Sequence, residues 1–131
     1  MNRIDAIVTT IEGFEAISIV GFEAAGQPMR MMALELNSRL GVGSKVTLGV
    51  KASNIALAKE MSSMVSISNQ LSVTIESVNN GRLLSSIKFS FAGSLIESII
   101  TRESALRMNL RAGLKIIALI KSSELSILEI K

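Results

Sequence analysis

The chain has 131 residues, 48% of them hydrophobic, a formal net charge of +3, and no Cys, His, Trp or Tyr. That length fits one ordinary domain or two very small ones, and the composition is too apolar for a disordered chain. Without Cys or His there is no zinc site, disulfide framework, thiol nucleophile or histidine base, whereas 17 Ile, 8 Val and 19 Ser leave a β-forming core rich in small hydroxyl donors.

In chain order, the opening MNRIDAIVTTIEGFE carries Asp5, Glu12 and Glu15 where a signal peptide needs an uncharged apolar stretch. No window approaches the roughly 20 apolar residues of a membrane span. A cytoplasmic chain without membrane insertion is expected. The first half alternates as short strands, with Gly26-Gln27-Pro28 at the hairpin and a brief helix near Leu36–Leu40. Met29, Met31 and Met32 suit either core filling or an oligomer interface. Lys59 to Ser68, polar and Ser/Met-rich, reads as a linker. Residues 69–78 then alternate as a strand, Asn79-Asn80-Gly81 signals a turn, and a second strand covers about 83–91. Ala92-Gly93-Ser94 turns into a third strand ending near Thr101. Arg102 to Met108 reads as a short helix, and Gly113 precedes a fourth strand (114–121) and a fifth (123–130).

The halves repeat. Ile4, Ala6, Val8 and Ile11 fall on Leu71, Val73, Ile75 and Val78, at an offset of 67. Leu40, Gly43, Lys45, Val46, Val50, Lys51, Ser53 and Ile55 meet Leu110, Gly113, Lys115, Ile116, Ile120, Lys121, Ser123 and Leu125, at an offset of 70. The second copy is therefore three residues longer, between Val78 and Leu106. Repeats of this size are structural units, and five strands with a helix between the third and fourth is the order of an OB-like barrel. The expected fold is all-β: two tandem five-stranded barrels, residues 1–60 and 67–131, each with one short helix. A barrel of about 60 residues buries little surface alone, which favours association.

Three segments place small donors beside a fixed charge. Lys121-Ser122-Ser123 and its counterpart Lys51-Ala52-Ser53 end the fourth strand of each copy. Thr101 and Ser104 open the short helix, where Thr101 is a candidate N-cap. Ser66, Ile67 and Ser68 lead into the second copy. Each has a plainer role: a helix cap, a solvated lysine, a linker. Taken together, N–H and O–H donors with one cation per copy suit a small tetrahedral oxyanion, which needs hydrogen bonds and no metal ligand. Paired carboxylates such as Glu97 and Glu103 have no catalytic partner beside them and read as solvated surface. Nucleic-acid binding is not expected, because OB readers stack bases on exposed aromatics and the four Phe fall mostly at core positions of strands.

Asn69-Gln70-Leu71, Ile100-Thr101-Arg102-Glu103-Ser104, Leu110-Arg111-Ala112-Gly113 and Ile120-Lys121-Ser122-Ser123 together resemble the molybdenum-binding Mop (molbindin, or TOBE) domain. That family's pattern runs approximately Ser-Ala-Arg-Asn-x-Leu, Ile-Thr-x-x-Ser, Leu-x-x-Gly, Lys-Ala-Ser. Two tandem copies resemble the di-Mop molbindins. The resemblance implies OB-like barrels, cytoplasmic binding of molybdate or tungstate without a catalytic cofactor, and sites between domains of different subunits. It carries binding roles onto Ser66, Thr101, Ser104, Lys121 and Ser122 in copy two, and onto Lys51, Ala52 and Ser53 in copy one. The family's Arg before Asn is Ser68 in copy two and Met1 in copy one. The Thr and Ser opening the helix fall at Met31 and Leu34 in copy one, which is expected to lend an edge but no full site.

The expected function is thus intracellular, non-enzymatic oxyanion storage or homeostasis in a homo-oligomer, a trimer in preference to a dimer. The alternative is a ligand-free structural or regulatory interaction module of a molybdate transport or regulatory system.

Overall fold

The computed structural model describes residues 1–131. Ten strands form in chain order: β1 (Asn2–Phe14), β2 (Ile17–Ala24), β3 (Gln27–Ala33), β4 (Lys45–Val50), β5 (Ile55–Ala58), β6 (Asn69–Asn80), β7 (Leu84–Phe91), β8 (Ser94–Thr101), β9 (Lys115–Ile120) and β10 (Ser126–Ile130). One α-helix, α1 (Arg102–Arg107), lies between β8 and β9. Short 3-10 turns at Ala52–Asn54 and Ser122–Glu124 lead into β5 and β10. Alternation sets the buried faces: Ile4, Ala6 and Val8 point inward from β1, and Leu71, Val73 and Ile75 from β6.

The two five-stranded sheets run β10-β4-β1-β2-β3 and β5-β9-β6-β7-β8, antiparallel at every pairing. The fifth strand of each repeat therefore completes the sheet of the other. Ile55 to Ala58 pair with Ile120 to Ile117 on β9, while Ser126 to Ile130 pair with Gly49 to Val46 on β4. The sheets thus cross the boundary near residue 60, and a single apolar cluster of 25 buried residues draws on both. Neither repeat completes a sheet alone, which is how two units of marginal size come to share one core.

Volumes at the sheet edges fit this exchange. A side chain at Gly49 on β4 would place its Cβ 2.7–2.8 Å from the Cγ and Cδ atoms of Leu128, which folds over that glycine at a bulge in β10. The counterpart of Gly49 on β9 is Leu119, and the counterpart of Leu128 on β5 is Ala58. Leu128 therefore packs where the facing strand has no side chain, whereas returning β10 to β9 would set it beside Leu119.

Two asparagines join the repeats across the pseudo-symmetry. Asn69 accepts from the Arg30 N–H at 2.7 Å and donates to the Arg30 carbonyl at 2.8 Å. Asn2 makes the matching pair with Glu97, at 3.0 and 2.8 Å. Each side-chain amide thereby occupies the free edge of the other repeat's third strand, where a backbone pair would otherwise go unsatisfied. The Asn of the motif is a structural clamp.

The expected helix in copy one does not form: residues 34–44 are bends and turns. The strand register explains why. Phe22 pairs with Met29 and Phe89 with Ile96, so the offset of 67 persists through β3 and β8. Leu34, one residue after β3, is thus the counterpart of Thr101, which corrects the placement of that Thr at Met31. The three-residue difference falls between Thr101 and Leu110, inside the helical segment itself. Five residues, 35–39, replace the eight of 102–109, and Asn37 closes them with a local turn, accepting from the Arg39 N–H at 2.9 Å. No Thr cap is available and too few residues remain for a helical turn with both ends satisfied. The hairpin expected at Gly26-Gln27-Pro28 turns at Ala25-Gly26, and Gln27 and Pro28 already belong to β3. Met29 and Met31 are core residues, whereas Met32 is exposed.

Candidate functional site

Each fourth strand begins after a glycine in the left-handed region, Gly43 at φ +91° and Gly113 at φ +87°, a conformation other residues adopt only under strain. The strand then delivers a lysine to its far end. Lys51 and Lys121 take extended backbone angles and start the two 3-10 turns, their carbonyls accepting from the Asn54 and Glu124 N–H groups at 2.9 Å. Because the fifth strands exchange, both turns meet across the pseudo-symmetry, and Asn54 Nδ2 donates to Glu124 Oε2 at 2.8 Å.

This junction holds a shallow cleft of about 330 Å³, its walls including Ser53, Asn54, Ile67, Ile100, Lys121 and Glu124. Three residues singled out in the sequence, Ser53, Ile67 and Lys121, therefore come together from three separate segments. Lys51, Ala52, Ser122 and Ser123 belong to the same two turns without lining this cleft. The chain's ion pairs are Arg3–Glu129, Arg107–Glu103 and Lys131–Asp5, so Lys51 and Lys121 remain unpaired cations at an exposed surface.

Ile67 is placed by Gln70, which ties down the linker: its Nε2 donates to the Ser62 and Ile67 carbonyls at 2.8 and 2.9 Å, and its Oε1 accepts from the Ser62 N–H at 2.9 Å. Ser66 and Ser68 flank Ile67 in exposed positions outside the cleft. Thr101 and Ser104 form a separate pair. Thr101 caps α1 by accepting from the Ser104 N–H at 3.2 Å, the two hydroxyls lie 3.0 Å apart, and Arg107 donates to Ser104 Oγ at 3.1 Å. Thr101 Oγ1 is thus the helix cap and Ser104 Oγ accepts from Thr101 and Arg107, while Ile100 brings the end of β8 to the cleft's edge.

Sequence reasoning missed Glu124 and Asn54. The signal was present: at the offset of 70, Glu124 stands where copy one has Asn54, directly after the shared Lys-x-Ser. A larger groove of about 580 Å³ lies between β3 and β10, lined by Met31, Met32 and Leu36 among others, beside the segment where copy one lacks its helix. It contains none of the candidate residues. No three His, Cys, Asp or Glu side chains gather to hold a metal ion. No helix is long and apolar enough to cross a membrane.

The one marked proton shift lies elsewhere. Hydrogen bonds from Lys131 and Thr47, each at 3.1 Å, hold the Asp5 carboxyl below its ordinary value against a small desolvation that raises it.

Comparison with known proteins bears on copy two and on the overall fold. Curated protein sequences give no significant match. The TOBE domain model matches residues 65–127, a stretch that includes the linker end, α1 and Lys121-Ser122-Ser123. Among solved structures, the cytoplasmic molybdate-binding protein ModG, in a crystal form with molybdate bound, superposes with a TM-score of 0.87 at 22% identity, over 96% of this chain and 94% of that one. The chain therefore has the fold of that protein over nearly its whole length, and its second repeat is similar to the TOBE domain.

Proposed function

We propose that the chain is an intracellular, non-enzymatic binder of a molybdate- or tungstate-type oxyanion, serving storage or homeostasis. The observation that carries this reading is the junction of the two repeats, where unpaired Lys121 lines a cleft with Ser53 and Ile67. Lys121 supplies the charge, with Lys51 at the symmetry-related turn. The Ser53 hydroxyl and the Ile67 backbone N–H supply directed donors at the cleft, and Ala52, Ser122 and Ser123 add N–H and O–H groups on the same two turns beside it. A tetrahedral dianion is satisfied by such a set without any metal ligand. Ser66 and Ser68 extend the donor set from the linker, and Thr101 and Ser104 contribute from the neighbouring edge when subunits associate. The fold shared with a cytoplasmic molybdate-binding protein supports the choice of anion and compartment.

Assembly as a homo-oligomer, a trimer in preference to a dimer, belongs to the same reading. Exposed apolar side chains at both long hairpin tips, Phe14 and Ile17 in one and Leu83 and Leu84 in the other, support it. Incubating the protein with molybdate or tungstate, desalting it and measuring bound metal by elemental analysis tests the proposal. Retention of molybdenum or tungsten in whole-number ratio to subunits is expected. A stable oligomer retaining neither would instead support a ligand-free interaction module.

A further inference from the structure

The cleft holds one feature that an oxyanion site does not need. Glu124 lines it beside Lys121, bringing the formal charge of its walls to zero. Asn54 Nδ2 fixes one carboxylate oxygen, Oε2, at 2.8 Å. That bond orients the group and leaves Oε1 with lone pairs to offer. The counterpart at the other turn is neutral Asn54, so the carboxylate belongs to copy two alone.

A carboxylate of this kind only accepts hydrogen bonds. Fully deprotonated tetrahedral anions, such as molybdate, tungstate and sulfate at neutral pH, also only accept. Facing Oε1, they meet charge repulsion and an unmatched pair of acceptors. A tetrahedral oxyanion that still carries a proton, such as hydrogen phosphate, donates that proton's hydrogen bond to Oε1 and places its remaining oxygens toward Lys121 and Ser53. Glu124 is exposed, so water shares Oε1 and the discrimination by this one matched or mismatched hydrogen bond is moderate.

We propose that Glu124 tunes the selectivity of this cleft, weakening its hold on fully ionised tetrahedral oxyanions relative to protonated ones and so holding molybdate affinity down. The inference rests on the oxyanion reading of the same cleft. Substitution Glu124→Gln separates charge from geometry, because the amide oxygen still accepts from Asn54 while the amide N–H₂ now donates into the cleft.

The test is a calorimetric titration of the full chain and of E124Q with molybdate, sulfate and inorganic phosphate at neutral pH. In E124Q, molybdate and sulfate are expected to bind about tenfold more tightly and phosphate more weakly, raising the ratio of molybdate to phosphate affinity. A second variant, E124S, which removes the charge without restoring an amide, is expected to tighten molybdate binding to a lesser degree. Unchanged ratios among the three anions in both variants would overturn the role of Glu124 while leaving the cleft an anion site. Absence of binding by any anion to any of the three proteins would overturn the oxyanion reading and this inference together.

Discussion

Replacing Asn69 by alanine isolates the contact that clamps the second repeat onto the first. Asn69 is 1% exposed and its amide exchanges two hydrogen bonds, at 2.7 and 2.8 Å, with the backbone of Arg30 on the edge of β3. A typical intramolecular hydrogen bond contributes a net of about 1 kcal/mol, and stranding a buried partner adds its desolvation cost, so losing the pair destabilises by about 2–3 kcal/mol. That is a large fraction of the roughly 5–15 kcal/mol by which domains are stable. For a chain between the small and medium size classes it lowers the melting temperature by roughly 6–12 °C. The symmetry-related Asn2→Ala serves as an internal comparison. Asn2 makes the same pair of bonds at 3.0 and 2.8 Å but is only half-buried, so its loss costs less. Urea unfolding with thermal melts on N69A, N2A and the parent chain reads all three. A change in N69A below about 0.5 kcal/mol, the level of neutral surface substitutions, would refute the clamp, as would an effect smaller than that of N2A.

Enlarging Gly49 to valine crowds Leu128, and a destabilisation of about 1–3 kcal/mol is expected. In the Leu128→Ala background the penalty should shrink, and a double-mutant cycle by denaturant unfolding measures that coupling. Thr101→Ala removes the cap of α1 and should cost about 1 kcal/mol, read as a drop in the urea midpoint, whereas Leu34→Ala at the equivalent place in copy one loses no cap. The depressed pKa of Asp5 has a definite sign: its contribution to stability is present above the unfolded-state value of 3.8 and is lost as pH falls through the lower folded-state value. Chemical-denaturation stability followed from pH 6 downward should therefore fall less steeply in Asp5→Asn and in Lys131→Ala than in the parent chain.

Much of this architecture was legible in the sequence because strand alternation and repeat spacing are local signals. The strand order, α1 and the pairing of Lys51 with Lys121 follow from them. The exchange of β5 and β10 was not legible, since both strands read alike by pattern. The choice of sheet turns on the close approach of Leu128 to Gly49, which forms only after folding. The missing helix of copy one had a sequence cause in its three-residue shortfall, but the shortfall could be located only once the β2–β3 and β7–β8 registers were known. At the candidate site, Lys121, Ser53 and Ile67 were found as charge and donor types. Glu124 is not legible there, because cations and hydroxyls are what mark an oxyanion site in a sequence and a carboxylate enters the cleft only through the crossing of the two 3-10 turns. Thr101 and Ser104 matched a motif; Thr101 Oγ1 caps α1, and Ser104 Oγ accepts from Thr101 and Arg107.

The central claim, that the folded chain binds a molybdate-type oxyanion through Lys121, is tested most directly by thermal melts with and without millimolar molybdate, on the parent chain and on Lys121→Ala. A ligand held only by the folded state adds about 2.7 kcal/mol at a hundredfold excess over its Kd, a rise of several degrees for a chain of this size. The account predicts that rise in the parent chain and its loss in K121A. Equal melting temperatures with and without molybdate in the parent chain, or an undiminished rise in K121A, would contradict it.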